Sequence, residues 1–118
     1  MFIEDLQEIC HKLPGVTEDI KWENHLCFCV EKKMFLILGL DEAPTTASFK
    51  VTEEDFEALS TWSGFKPAPY MARNKWIWTD DIGRLSKKQW EQYAYQSYHL
   101  IASKLPIKTR KQLGIYES

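Results

Sequence analysis

The run Tyr70-Met71-Ala72-Arg73-Asn74-Lys75-Trp76-Ile77-Trp78 holds the residue types of this 118-residue chain best suited to recognition chemistry. Lys and Arg contact phosphates, while flat rings stack on bases or pack against sugars, so cations interleaved with aromatics suit a nucleic-acid surface. The plainer reading of the same residues is a strand with Trp76 and Trp78 in the core and with Arg73 and Lys75 in water. Two other cationic groups are candidates for the same surface. Lys32 and Lys33 sit at an expected hairpin tip, as a wing or simply as a solvated turn. Lys104, Lys108, Arg110 and Lys111 follow a long helical segment; as phosphate contacts they would be blind to base sequence, and their alternative role is to complement helix C-termini.

Metal and nucleophile chemistry is less well supported. His25, Cys27 and Cys29 alternate, so on a strand they share a face, yet Cys-x-Cys lacks the second pair of a structural zinc site; buried, inert thiols are expected instead. Glu4, Asp5, Glu8, Glu18 and Asp19 are too sparse to converge several oxygens on one hard cation and read as a polar helix face. No glycine-rich phosphate loop, nucleophile elbow or His-Glu metalloprotease run is present, and apolar neighbours such as Phe28 raise a thiol pKa rather than lower it. The expectation is therefore a protein that is not an enzyme and that carries no metal and no cofactor.

Charge is distributed unevenly along the chain. Residues 1–59 hold five basic and thirteen acidic side chains, a net −8; residues 60–118 hold ten basic and four acidic ones, a net +6. The whole-chain charge of −2 hides this split, which points to a polyanion or an acidic protein as partner. A hydrophobic share of 44% and an aromatic share of 14% in a chain of this length fit one globular domain, 1–118. Acids at Glu4 and Asp5 stand where a signal peptide needs basic residues, and no apolar run approaches the ~18 residues of a membrane span. Three cysteines, an odd number, suit free thiols in a reducing, cytoplasmic setting.

The elements that position these residues are legible in the periodicity. Phe2, Ile3, Leu6, Ile9, Cys10 and Leu13 make one helical stripe, which Pro14-Gly15 ends. His25–Val30 and Met34–Leu38 are apolar runs joined through Glu31-Lys32-Lys33 as a hairpin, and a further strand is expected over 45–51. Thr52-Glu53-Glu54-Asp55 and Ser86-Lys87-Lys88-Gln89 both start helices, each with a hydrophobic staple, Val51 to Phe56 and Leu85 to Trp90. The second of these helices runs to about residue 104, Lys75–Thr79 alternates as a strand, and 106–113 could add a short terminal helix. This order predicts an α+β two-layer sandwich. The N- and C-terminal helices cover one face of an antiparallel sheet, and no helix is left for the other face.

Several short motifs occur in this order: Leu13-Pro14-Gly15-Val16-Thr17-Glu18, Lys33-Met34-Phe35, Pro69-Tyr70-Met71-Ala72-Arg73 leading to Lys75-Trp76, Gln96-Ser97-Tyr98 and Lys104-Leu105-Pro106. As an ordered set they resemble the MmcQ/YjbR family over nearly the whole chain. The resemblance implies a frataxin (CyaY)-like fold and DNA binding through a double-wing arrangement of hairpins. Many members have a His directly before the Trp that corresponds to Trp76; this chain has Lys75 there, so no role of that His carries over. Glu4, Asp5, Glu8, Glu18 and Asp19 are similar to the frataxin iron-binding ridge but sparser. The expected function is low-affinity, largely sequence-independent DNA binding by a monomer or weak dimer. The alternative is a protein-interaction adapter that offers its open sheet face or acidic first helix.

Overall fold

The computed structural model describes residues 1–69 and 71–115. Helix α1 (Ile3–His11) leads into four strands, β1 (Val16–Lys21), β2 (His25–Val30), β3 (Lys33–Gly39) and β4 (Thr46–Lys50). Helix α2 (Glu53–Leu59) precedes β5 (Phe65–Pro67) and β6 (Trp76–Thr79), followed by the long helix α3 (Lys87–Ala102) and the short α4 (Ile107–Leu113). All strand pairs are antiparallel, in the order β1-β2-β3-β4-β6-β5. The sequence leads one to expect three or four strands before the short helix and one after it; the described residues form four before and two after, six in all, with β1 and the three-residue β5 as the edges. Neither edge strand has the apolar alternation that marks a strand in sequence.

Both terminal helices lie on one face of the sheet, as their apolar stripes require. Leu6, Ile9 and Cys10 of α1 and Trp90, Ala94 and Tyr98 of α3 share one core with Leu26, Phe28, Val30, Leu36, Leu38, Phe49 and Ile77 from the strands. Trp90 anchors α3: its ring meets Phe49 edge-on at 5.3 Å, and its Nε1–H donates to the Ile82 carbonyl at 2.7 Å, satisfying a buried donor. Between Phe28 and Cys29 the β2–β3 register shifts, leaving Phe35 as the extra residue of a bulge. The bulge places the Phe35 ring in the helix-face core against Tyr98, and its carbonyl accepts a 2.5 Å bond from the buried Ser97 hydroxyl. The same hydroxyl accepts the Lys50 N–H at 2.9 Å, so one side chain of α3 ties together β3 and β4.

No helix covers the far face, yet that face is buried along its centre. Cys27, Cys29, Ile37, Ala68 and Trp76 form a second apolar cluster, flanked by Met34, Met71 and Trp78 and, from α3, by Ile101. The β5–β6 connection supplies the cover. Its single-turn 3-10 helix, Ala72–Asn74, ends in Lys75 with a left-handed φ of 63°, from which the chain enters β6. The two faces of β2 differ accordingly: large Leu26, Phe28 and Val30 fill the helix face, while small Cys27 and Cys29 belong to the thinner far-face cluster.

Candidate nucleic-acid interface

The topology decides which cations can act together. β2 ends and β3 begins at the Glu31-Lys32 turn, β4 ends at Lys50, and β6 begins at Trp76, which pairs with Lys50. All of these points lie at one end of the sheet, here called the β2–β3 end. Lys32, Lys33, Lys50, Arg73 and Lys75 therefore lie at that end. Helices α1 and α3 run parallel, since Lys87 at the start of α3 bonds Glu8 at 3.1 Å while the Tyr98 hydroxyl, near its end, donates to the Pro14 carbonyl at 2.6 Å. Both helices thus end at the same side, bringing Lys12 and Lys104 with them. Lys104 stands close enough to Lys50 for its charge, after burial, to help lower the Lys50 pKa. Helix α4, with Lys108, Arg110 and Lys111, follows directly. Its Leu113 packs so closely on the α1–β1 turn that a Cβ on Gly15, at φ 73°, would come within 2.6 Å. Acids at this end are Glu31 and the first turn of α2, Glu53 to Asp55.

The opposite end carries the reverse charge. There the β1–β2 turn contributes Glu23, the β3–β4 connection Asp41 and Glu42, and the chain after β6 Asp80 and Asp81. The start of α1 reaches the same region, where Ile3 and Glu4 meet Pro44, Asp81 and Ile82 around a shallow cleft. Two of the cations here are paired: Arg84 holds Asp80 through Nε at 2.5 Å and keeps its carboxyl pKa below the ordinary value, and Lys87 pairs with Glu8. The polarity read along the chain is thus a polarity along the strands. Lys12, Lys32, Lys33 and Lys50 of the acidic half lie at the basic end, and Asp80 and Asp81 of the basic half lie at the acidic end.

The residues singled out in the sequence divide by exposure. Lys32, Lys33, Arg73, Lys104, Lys108 and Lys111 are exposed, while Lys75 and Arg110 are half-buried. Lys75 lies over the Phe56 ring at 5.0 Å and 3.7 Å from Glu53, so it is partly committed to α2. Arg110 donates from Nε to the Leu105 carbonyl at 3.1 Å. For Trp76 the plainer reading, a core residue, holds, and its place among the candidate binding residues is corrected: it is 6% exposed and offers no face for stacking. Tyr70 lies outside the described residues. Lys50 was missed, because in sequence it is an ordinary strand residue; the β3–β4 and β4–β6 pairings carry it to the basic end. Trp78 stays half-exposed on the far face with Lys66 over its ring at 4.7 Å.

Among the described residues no three His, Cys, Asp or Glu side chains converge as metal ligands do. His25, Cys27 and Cys29 do share the far face, where burial pushes the Cys27 thiol up to about 11 and raises that of Cys29. Among the described residues no helix is long and apolar enough to cross a membrane.

Sequence and fold place the chain in a class. The YjbR family model matches residues 11–100, and the chain belongs to that family. Two solved structures share the architecture. The crystal structure of the Deinococcus radiodurans protein DR2400, with a DUF419 domain, has a TM-score of 0.86 at 23% identity over 98% of this chain and 90% of its own. A Pseudomonas syringae structural-genomics target has a TM-score of 0.69 at 20% identity, covering 85% of this chain and 98% of its own. No curated protein matches the chain.

Proposed function

We propose that this protein is a non-enzymatic DNA-binding domain that holds DNA weakly and with little base specificity through its β2–β3 end. The observation that carries this reading is the gathering of cations from four separate parts of the chain, the β2–β3 turn, β4, the 3-10 helix and the α3–α4 region, at one end of the sheet. An exposed cationic surface of this kind neutralises phosphates, and phosphate contacts alone carry no base sequence. The burial of Trp76 removes the main stacking residue from the surface, which supports backbone binding over base readout.

Fluorescence anisotropy with a short duplex and a single strand tests this. Affinity of about 10⁻⁴ to 10⁻⁶ M at physiological salt is expected, with log K falling linearly in log salt. Lys32→Ala with Lys33→Ala and Arg73→Ala should flatten that slope by up to about 2 to 3 units, since each lost phosphate contact removes about 0.9. All three side chains point into water, so folding should be unaffected. Absence of binding at low salt, or a slope indifferent to these residues, would turn the reading toward a protein-interaction adapter.

A further inference from the structure

The two edges of the sheet are protected differently. β5 is three residues long and includes Pro67, which has no N–H to offer, so that edge is blunted. β1 is six residues long and contains no proline, and among the described residues β2 is its one strand partner. No described strand pairs with the backbone groups along its outer side. Two large apolar side chains stand beside that edge, Ile20 at 54% and Trp22 at 64% exposure. Charged residues usually guard such an edge, and Glu18, Asp19 and Lys21 are present, with Asp19 and Lys21 paired within the strand at 3.6 Å; their order is nonetheless self-complementary, so that pair can be exchanged between copies.

We propose that β1 is a homodimerisation edge, pairing antiparallel with β1 of a second copy so that Ile20 faces Ile20 across the two-fold axis. In that register Asp19 lies opposite the second copy's Lys21, and Lys21 opposite its Asp19, on the far face of the joined sheet. The neighbouring in-phase registers are penalised. They set Asp19 against Asp19, Lys21 against Lys21 or Glu18 against Glu18, and like charges directly opposite are destabilising. Glu18 is also held on the helix face by His11 and by Gln7, whose Nε2 donates to it at 2.9 Å, so it stays out of the Asp19–Lys21 pairing.

The charge axis of the molecule favours the same arrangement. Because the basic and acidic ends lie along the strands, antiparallel pairing sets the two copies with opposite polarity side by side, basic end next to acidic end. The contact is small, one strand pair and two exposed apolar side chains. A weak dimer with a dissociation constant of about 10⁻⁵ to 10⁻³ M is expected.

Sedimentation velocity on the full chain without nucleic acid, at concentrations up to about 1 mM, tests the proposal across that range. The wild type should shift from monomer to dimer with concentration, and Ile20→Lys should remain monomeric. The charge variants Asp19→Lys and Lys21→Asp should each be monomeric alone, because each places like charges across the axis. Mixed in equal amounts they should form a heterodimer, since every cross-strand pair is then of opposite sign; this rescue also shows that both variants are folded. A wild type that stays monomeric throughout overturns the proposal and leaves the edge to a strand of another protein. A dimer indifferent to these substitutions, or a mixture that fails to associate, overturns it too.

Discussion

Glu31 and Lys32 occupy the two-residue β2–β3 turn with φ of 48° and 67°, both left-handed, and the flanking Val30 and Lys33 pair directly. This is the geometry of a type I′ turn, which matches strand twist but favours Asn-Gly, because a side chain in the left-handed region costs roughly 1–2 kcal/mol. The turn thus keeps a cation at the basic end in a conformation that residue type disfavours. Glu31→Asn with Lys32→Gly should raise stability by about 1 kcal/mol, or about 4 °C in Tm, in urea or thermal unfolding. A fall in stability would show that the turn is not strained as described. A second residue-scale prediction concerns Cys10. Burial, with a smaller contribution from the Glu18 charge, pushes its thiol up to about 12. The native state therefore favours the protonated form, while the unfolded thiol ionises near its ordinary value of 9.0. The stability that this supplies is fully present below pH 9 and is lost as pH rises toward 12. Cys10→Ala should make stability less steeply dependent on pH over that window, measured by urea unfolding under reducing conditions. At neutral pH the native thiols should resist alkylation, since a protonated, buried thiol is a poor nucleophile.

At the scale of elements, α2 and α3 start with the same device but complete it differently. At α3 the capping box closes on itself, with the Ser86 side chain accepting from the Gln89 N–H and Gln89 accepting from the Ser86 N–H at 2.9 Å. At α2 the Thr52 hydroxyl accepts from the Asp55 N–H at 3.2 Å, but the Thr52 N–H donates instead to Gln96 of α3 at 3.1 Å. The Gln96 amide then donates to Asp55 at 2.8 Å. One amide side chain thus replaces the local half of the box and docks α2 on α3. Gln96→Ala should destabilise the protein by about 1 kcal/mol, because it leaves a helix-start N–H and a carboxylate without their protein partner. Chemical denaturation reads this directly. A double-mutant cycle with Asp55→Ala should return a nonzero coupling energy, which a purely local cap would not.

Across the whole molecule the charge axis separates two tasks. A basic end attracts polyanions and an acidic end repels them, as the proposed DNA binding requires. In the anisotropy experiment proposed above, the matching control is Asp41→Asn with Glu42→Gln. Both side chains are exposed and lie at the far end of the strands, beyond a Debye length of about 8 Å at physiological salt, so the salt slope should be unchanged within error. A slope that steepens would mean that DNA runs along the sheet rather than across one end.

The sequence alone determined the elements whose signals are local. The stripe of α1, the apolar runs of β2 and β3, and the starts of α2 and α3 are written in neighbouring residues, because helix periodicity and N-caps act over three to seven positions. From these, an antiparallel sheet with both terminal helices on one face follows. The tertiary structure decided what depends on which distant residues meet. β1 and β5 became strands because a partner offered backbone groups, not because their side chains alternate. The strand pattern already reads Trp76 as core, but that residues of the β5–β6 connection, Ala68 and Met71, pack with it is announced by no helical or strand pattern. The polarity seen as a −8 and a +6 half was reassigned to the two ends of the sheet, because antiparallel strands return the chain to each end several times and interleave the halves. Lys50 and Arg73, 23 positions apart in the chain, reach one end of the sheet through the β3–β4 and β4–β6 ladders, since hydrogen-bonded register rather than sequence distance sets which side chains are neighbours.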